Sequence, residues 1–211
     1  MKIALLGPSG GSGKEFLKVA LEKGHEVKAL VRSPEKLRDF QSNHLKVIKG
    51  DVLNFEDVRN TLEGVEIVVS LFGQVKGSPE DLQSKGTQNL VRAMKEIKIE
   101  RIISLSGGGL PFPEKDKPKF VDHLIRGIMK LAVPKVLEDA KQHAKVLKNS
   151  GLDWTIVRAP RLTHDVAKGE YRMGWVGVNS GTKLSRADLA DFIMKEVEAP
   201  QFNQQMPFVS Y

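Results

Sequence analysis

An α/β fold, a parallel sheet doubly wound into a single domain over residues 1–211, is what the sequence predicts, and three observations carry it. Short apolar, β-branched runs alternate with amphipathic helical stretches along the chain. The first run ends in a glycine cluster, Gly7-Pro-Ser-Gly-Gly-Ser-Gly-Lys-Glu15, from which a helical stretch starts. At 211 residues the chain has room for one buried core and is short for two.

Taken in order, Lys2 to Leu6 reads as a strand, Ser12 to Lys23 as a helix stopped by Gly24, and Val27 to Val31 as the second strand, which completes a βαβ unit. Further strands are expected at Leu45 to Ile48, Val65 to Phe72, Arg101 to Leu105 and Trp154 to Val157. Between them lie helical patterns at Glu56 to Glu63, Asp81 to Lys98 and Lys135 to Asn149. A last helix, Arg186 to Glu198, has Ser185 as its N-cap and Asp188 in the capping-box position, and a short edge strand follows at about Pro207 to Ser210. Two segments break the alternation: 107–134, with prolines at 111, 113, 118 and 134, and the glycine-rich 159–183. Both follow predicted strands at their carboxyl ends, the edge where open α/β sheets bind ligands, so both are expected to be loops that wall a substrate site.

The glycine cluster looks at first like a triphosphate loop, which needs Gly-x-x-x-x-Gly-Lys-Ser/Thr. Counting back from Gly13-Lys14 puts Pro8 at the first position, and Glu15 stands where the magnesium-binding hydroxyl belongs. From Gly7 the same letters give Gly7-x-x-Gly10-x-x-Gly13, a dinucleotide spacing of the Rossmann type. Gly7 allows the turn, Gly10 lets backbone approach a pyrophosphate, and Gly13 permits close packing of the helix; Gly11 shares the loop, and Ser9 and Ser12 can add hydroxyl hydrogen bonds. An NAD site would place Asp or Glu about 20 residues further on. Here the second strand ends in Arg32-Ser33-Pro34-Glu35-Lys36, and Arg32, Ser33 and Lys36 suit a ribose 2′-phosphate, so NADP(H) is preferred over NAD(H). Asp51 and Val52 after the third strand, and Leu71, Phe72 and Gly73 after the fourth, are candidates to line the adenosine side.

Composition narrows the classes. Without cysteine there is no disulfide or thiolate site, and the five histidines lack ligand spacing, so no metal is expected. The net charge of +7 suits a phosphate-rich cofactor; its even spread, without an RNA-binding aromatic motif, speaks against nucleic acid. The apolar run Ile3 to Leu6 is too short for a signal core or a membrane span, so a cytoplasmic protein with no membrane partner is expected, as a monomer or weak dimer.

Seven pieces in order carry a resemblance: Leu6-Gly7-Pro-Ser-Gly10-x-x-Gly13, Leu30-Val31-Arg32-Ser33, Gly50-Asp51-Val52, Gly86-Thr-Gln-Asn89-Leu-Val, Ser104-Leu-Ser106, Ser150 to Pro160, and Leu184-Ser-Arg-Ala-Asp188-Leu-Ala. Together they resemble the small atypical branch of the short-chain dehydrogenase/reductases, the NAD(P)H-binding group that includes NmrA-like proteins and biliverdin-IXβ reductase/flavin reductases. The resemblance implies that Gly7 to Gly13, Arg32, Lys36, Asp51, Val52, Leu71 to Gly73, Ser106 and Pro160 surround NADP, with Asn89 and Asp188 structural. Many members of the superfamily use Tyr-x-x-x-Lys as a proton relay. Here neither Tyr171 nor Tyr211 has lysine four residues later, and the residue four before Lys141 is Leu137; Lys141 and His143 are expected to be solvated. The implied activity is therefore hydride transfer from NADPH to a flavin-like or quinone-like small acceptor, the flavin serving as substrate. Ser106 is the candidate catalytic residue and Arg161 the attractor of an anionic acceptor. The alternative is a non-catalytic, NADP-sensing regulator of the NmrA-like kind.

Overall fold

The computed structural model describes residues 1–75 and 77–211, with backbone alone at 125, 126, 129 and 130. Six parallel strands form most of its main sheet: β1 (Lys2–Leu6), β2 (Glu26–Val31), β3 (Leu45–Lys49), β4 (Ile67–Ser70), β5 (Arg101–Gly107) and β6 (Asp153–Ala159). Three-residue strands follow: β7 (Arg161–Thr163), β8 (Arg172–Gly174), β9 (Lys183–Ser185) and β10 (Phe208–Ser210). The sheet order is β3-β2-β1-β4-β5-β6-β10-β8, with β8 antiparallel to β10, while β7 and β9 pair separately. From β1 the chain winds outward to β2 and β3, then crosses back to β4 and winds the other way, which puts a switch point between β1 and β4.

Both sheet faces are covered because the strands are apolar at successive positions, not alternate ones. Ile3 and Leu5 of β1 face α1 (Gly11–Glu22) and α6 (Arg186–Glu198), meeting Phe16, Leu17, Leu189, Phe192 and Ile193. Ala4 and Leu6 face α2 (Phe55–Leu62), α3 (Leu82–Ile97) and α5 (Pro134–Lys148), meeting Val58, Leu62, Leu90, Met94 and Leu147. Ser185 caps α6 as its sequence predicts, its Oγ accepting from Asp188 N at 3.0 Å. Asp188 is fully buried, accepts from Lys168 N and Gly169 N at 2.8 and 3.0 Å and from the Tyr211 hydroxyl, and so ties the chain end to the loop before β8.

Three expectations are corrected. Segment 107–134 is not all loop: α4 (Phe120–Ala132) occupies its second half, because Pro118 and Pro134 bracket the helical stretch instead of interrupting it. Its Phe120, Leu124, Ile128 and Leu131 are exposed. Segment 159–183 holds β7 and β8 and reaches the first residue of β9, which are too short for sequence periodicity to reveal. His143 is fully buried, not solvated, whereas Lys141 is exposed and pairs with Glu138 at 3.0 Å.

Candidate functional site

The turn after β1 is built around one close approach. Gly7 has φ +85°, and a Cβ there would meet Phe72 N at 2.5 Å; a Cβ on Gly13 would meet the Gly7 carbonyl oxygen at 2.1 Å. A larger residue at Gly13 would push α1 off the turn, and one at Gly7 would drive the turn away from the backbone that follows β4. Gly10 is the N-cap of α1 and supplies no side-chain cap, and the first turn carries no acidic residue. The amide groups at this end are therefore left to a ligand, and the helix dipole favours an anion there.

From this turn a groove of about 410 Å³ runs across the carboxyl ends of β1 to β4. Gly7, Ser9, Gly10, Arg32, Ser33, Lys36, Asp51, Val52, Leu71, Phe72 and Gly73 all line it. The sequence reading missed Pro8, Leu30, Val31, Gly50, Gln74, Val75 and Leu82, which also line it. Hydrophobicity at the last turn of a strand signals core as readily as groove. Gly11, Ser12 and Gly13 do not line the groove; they form the first turn of α1 beside it. Arg32 and Lys36 are exposed and make no ion pair among the described residues, while Ser33 precedes a 3₁₀ turn (Pro34–Leu37) without a side-chain cap bond. Asp51 spends Oδ1 on its own turn, accepting from Leu53 N at 2.9 Å, and Asn89 Nδ2 donates to Val52 O at 3.0 Å, which fixes the loop under the groove.

A second cavity, of about 700 Å³, opens at the carboxyl ends of β5 and β6. Pro160 and Arg161 line this cavity and not the first groove, together with Gly107, Lys119, Arg172 and Phe208. Both long segments that the sequence marks as walls contribute to it. A buried ion pair locks them together: Arg158 Nη1 and Nη2 donate to the two Asp116 oxygens at 2.9 and 2.8 Å, and Asp116 Oδ1 also accepts from Val176 N at 3.1 Å. Burial raises and the Arg158 guanidinium lowers the Asp116 carboxyl, with a net shift below its ordinary value. Ser106, expected at the cofactor, lines neither cavity: it is buried in β5 next to Gly107, which lines the second one, and its Oγ has no hydrogen-bond partner among the described residues. An orphaned buried hydroxyl costs free energy unless a ligand completes it.

The profile of the NAD(P)H-binding family matches residues 7–200. The chain belongs to that family. It is 27% identical over 224 residues to the uncharacterized protein YwnB of Bacillus subtilis (strain 168), covering 100% of this chain and 99% of that one. Its fold is shared with a short-chain dehydrogenase/reductase of Veillonella parvula DSM 2008 solved in complex with NADP, at TM-score 0.81 and 19% identity over 100% and 94% of the two chains. It is shared also with ChuY, an anaerobilin reductase of Escherichia coli O157:H7, at TM-score 0.79 and 20% identity over 100% and 97%. The glycine turn and free α1 N-terminus fit the nicotinamide dinucleotide such a family binds. No helix of the described residues is long and apolar enough to cross a membrane, and no group of three or more possible metal ligands occurs among them.

A tyrosine–lysine contact does exist in space, although not in the Tyr-x-x-x-Lys spacing. Lys195 Nζ donates to the Tyr171 hydroxyl at 3.1 Å, and that hydroxyl donates to Asp191 Oδ2 at 2.8 Å. Neither residue lines either cavity, and Tyr171 packs edge-on against Phe192 in the core. Burial first, and the Asp191 carboxylate with it, push the phenol up to about 12, which makes it a weaker acid than an ordinary tyrosine. Tyr211 is likewise raised, by burial and by Asp188.

Proposed function

We propose that the chain is an NADPH-dependent reductase: NADPH occupies the groove over β1 to β4, and a flavin-like or quinone-like acceptor enters the cavity beyond β5 and β6. The observation that carries this reading is the groove itself, which starts at a helix N-terminus without a side-chain cap and ends at two cations, Arg32 and Lys36, that make no ion pair among the described residues, where NAD sites call for an acid. NADPH supplies the two electrons as hydride. The protein contributes binding, orientation and exclusion of side reactions. Gly7 and Gly13 hold backbone amides against the diphosphate, Arg32 and Lys36 neutralise the 2′-phosphate, and the orphaned Ser106 hydroxyl holds the reacting partners by a hydrogen bond. An electron-poor ring suits a site whose tyrosines are committed elsewhere, because solvent in the open second cavity can supply the proton.

The test is NADPH oxidation with FMN, riboflavin and a quinone, beside a binding titration. Turnover with one of these acceptors is expected; tight NADPH binding with no turnover on any acceptor would sink the reductase reading and leave an NADP-sensing regulator. Arg32→Ala should weaken NADPH by roughly tenfold to a hundredfold, the worth of charge-assisted phosphate hydrogen bonds, and leave NADH nearly unchanged. Equal losses for both would remove the 2′-phosphate assignment.

A further inference from the structure

We propose that Arg186 is a diphosphate-binding residue of the cofactor site, supplied from the far end of the chain, and that it links the cofactor groove to the acceptor side. The inference deepens the NADPH reading and rests on it. Arg186 is the first residue of α6, and its side chain lies over Gly11, the first residue of α1. A methyl group built on Gly11 would stand 2.7 Å from Arg186 Nε and 2.9 Å from Cδ, so the guanidinium stem fills the place that a side chain at position 11 would take. The absent side chain on Gly11 is what admits it.

The guanidinium is held but not satisfied. Its one hydrogen bond among the described residues runs from Nη1 to the Leu162 carbonyl at 3.2 Å, which leaves four of its five N–H donors uncommitted. It makes no ion pair among the described residues, although Asp188 stands only two residues away and is occupied by Lys168, Gly169, Ser185 and Tyr211. A half-buried cation without a counter-charge among the described residues, set beside a first helical turn whose cap has no side-chain bond, calls for an anion with several acceptor oxygens. The dinucleotide's diphosphate is the group that the adjoining glycine turn presents there. Arg32 and Lys36 line the other end of the groove, while Arg186 stands beside its α1 end, next to Gly11 and outside the lining, so the three cations would divide the cofactor's phosphates between them.

Leu162 gives the contact a second consequence. It lies in β7, next to Arg161, which lines the acceptor cavity, and β7 pairs with β9 just before Arg186. A diphosphate that draws the guanidinium toward α1 would therefore also fix β7 and with it the wall bearing Arg161.

The experiment measures NADPH and NADH binding and displacement of NADPH by adenosine 2′-monophosphate, in wild type, Arg186→Gln and Arg32→Ala. Glutamine keeps a donor for Leu162 O and removes the charge. Arg186→Gln is expected to weaken NADPH and NADH by the same factor, about tenfold, and to leave adenosine 2′-monophosphate binding unchanged. Arg32→Ala should do the reverse, losing NADPH and adenosine 2′-monophosphate while retaining NADH. Wild-type affinity of Arg186→Gln for both dinucleotides would overturn the inference, and so would a loss confined to NADPH. Failure of the wild type to bind either dinucleotide would instead defeat the cofactor reading itself. If Arg186→Gln melts below the wild type without nucleotide, Gly11→Ala decides: its methyl displaces the guanidinium without removing it, and should lower both affinities by a smaller, equal factor, whereas unchanged affinities would reject the role.

Discussion

His143 is a neutral residue locked into one tautomer. The Thr87 hydroxyl uses its proton on Gln83 O at 2.7 Å, so toward His143 Nδ1, at 2.8 Å, it can only accept. The ring proton therefore sits on Nδ1, and Nε2 accepts from the Ser104 hydroxyl at 3.2 Å. Burial, only partly offset by the Asp139 charge, lowers the ring from 6.5 to about 4. The unfolded chain then binds more protons than the folded one between those values, so stability is complete above pH 6.5 and falls as pH drops toward 4, by roughly 3 kcal/mol. Urea unfolding across this window should show the slope, and His143→Gln should flatten it; an unchanged slope would place the titration elsewhere. Ser106 makes the opposite kind of prediction. Because its buried Oγ bonds nothing among the described residues, Ser106→Ala should leave the melting temperature unchanged or raise it slightly, while turnover with an active acceptor falls about tenfold. A stability loss without a rate loss would make Ser106 a packing residue.

Helix caps separate what neighbouring letters reveal from what they cannot. Ser185 and Asp188 stand three residues apart and cap α6 as their spacing foretells. At α3 the local candidate, Asp81, makes no cap bond; Asp139 of α5 does the work, accepting from Gln83 N and Ser84 N, both at 2.9 Å. The same carboxylate holds Gln74 Nε2 at 3.0 Å and so steadies a wall of the dinucleotide groove. Asp139→Ala should cost about 2 kcal/mol as a lost charged cap and weaken NADPH modestly through Gln74, measurable by urea unfolding and titration. A stability change within experimental error would mean that solvent replaces the cap. α4 escaped the sequence reading for a related reason: four prolines signal a loop, and only their positions relative to residues 120–132 show that two of them bracket a helix.

The whole molecule divides its ligand edge into two cavities, one over β1 to β4 and one over β5, β6 and β10. Saturating NADPH, at about a hundred times its Kd, should stabilise the fold by about 2.7 kcal/mol and raise Tm by roughly 5–10 °C, read by thermal shift. The shift should shrink in Arg32→Ala for NADPH alone. Absence of any shift with a bound dinucleotide would mean that the unfolded chain binds as well as the folded one. By itself, the sequence determined which segments become β1 to β6, the glycine turn and the candidates Arg32 to Lys36 after β2, since apolar period, glycine spacing and capping act between residues close along the chain. Only the tertiary structure decided that Pro160 and Arg161 belong to the second cavity, that His143 is buried, that Tyr171 meets Lys195 away from both cavities, and that Arg186 lies on Gly11. Those contacts join residues up to 175 positions apart, and their geometry follows from how the sheet is covered, which no local pattern encodes.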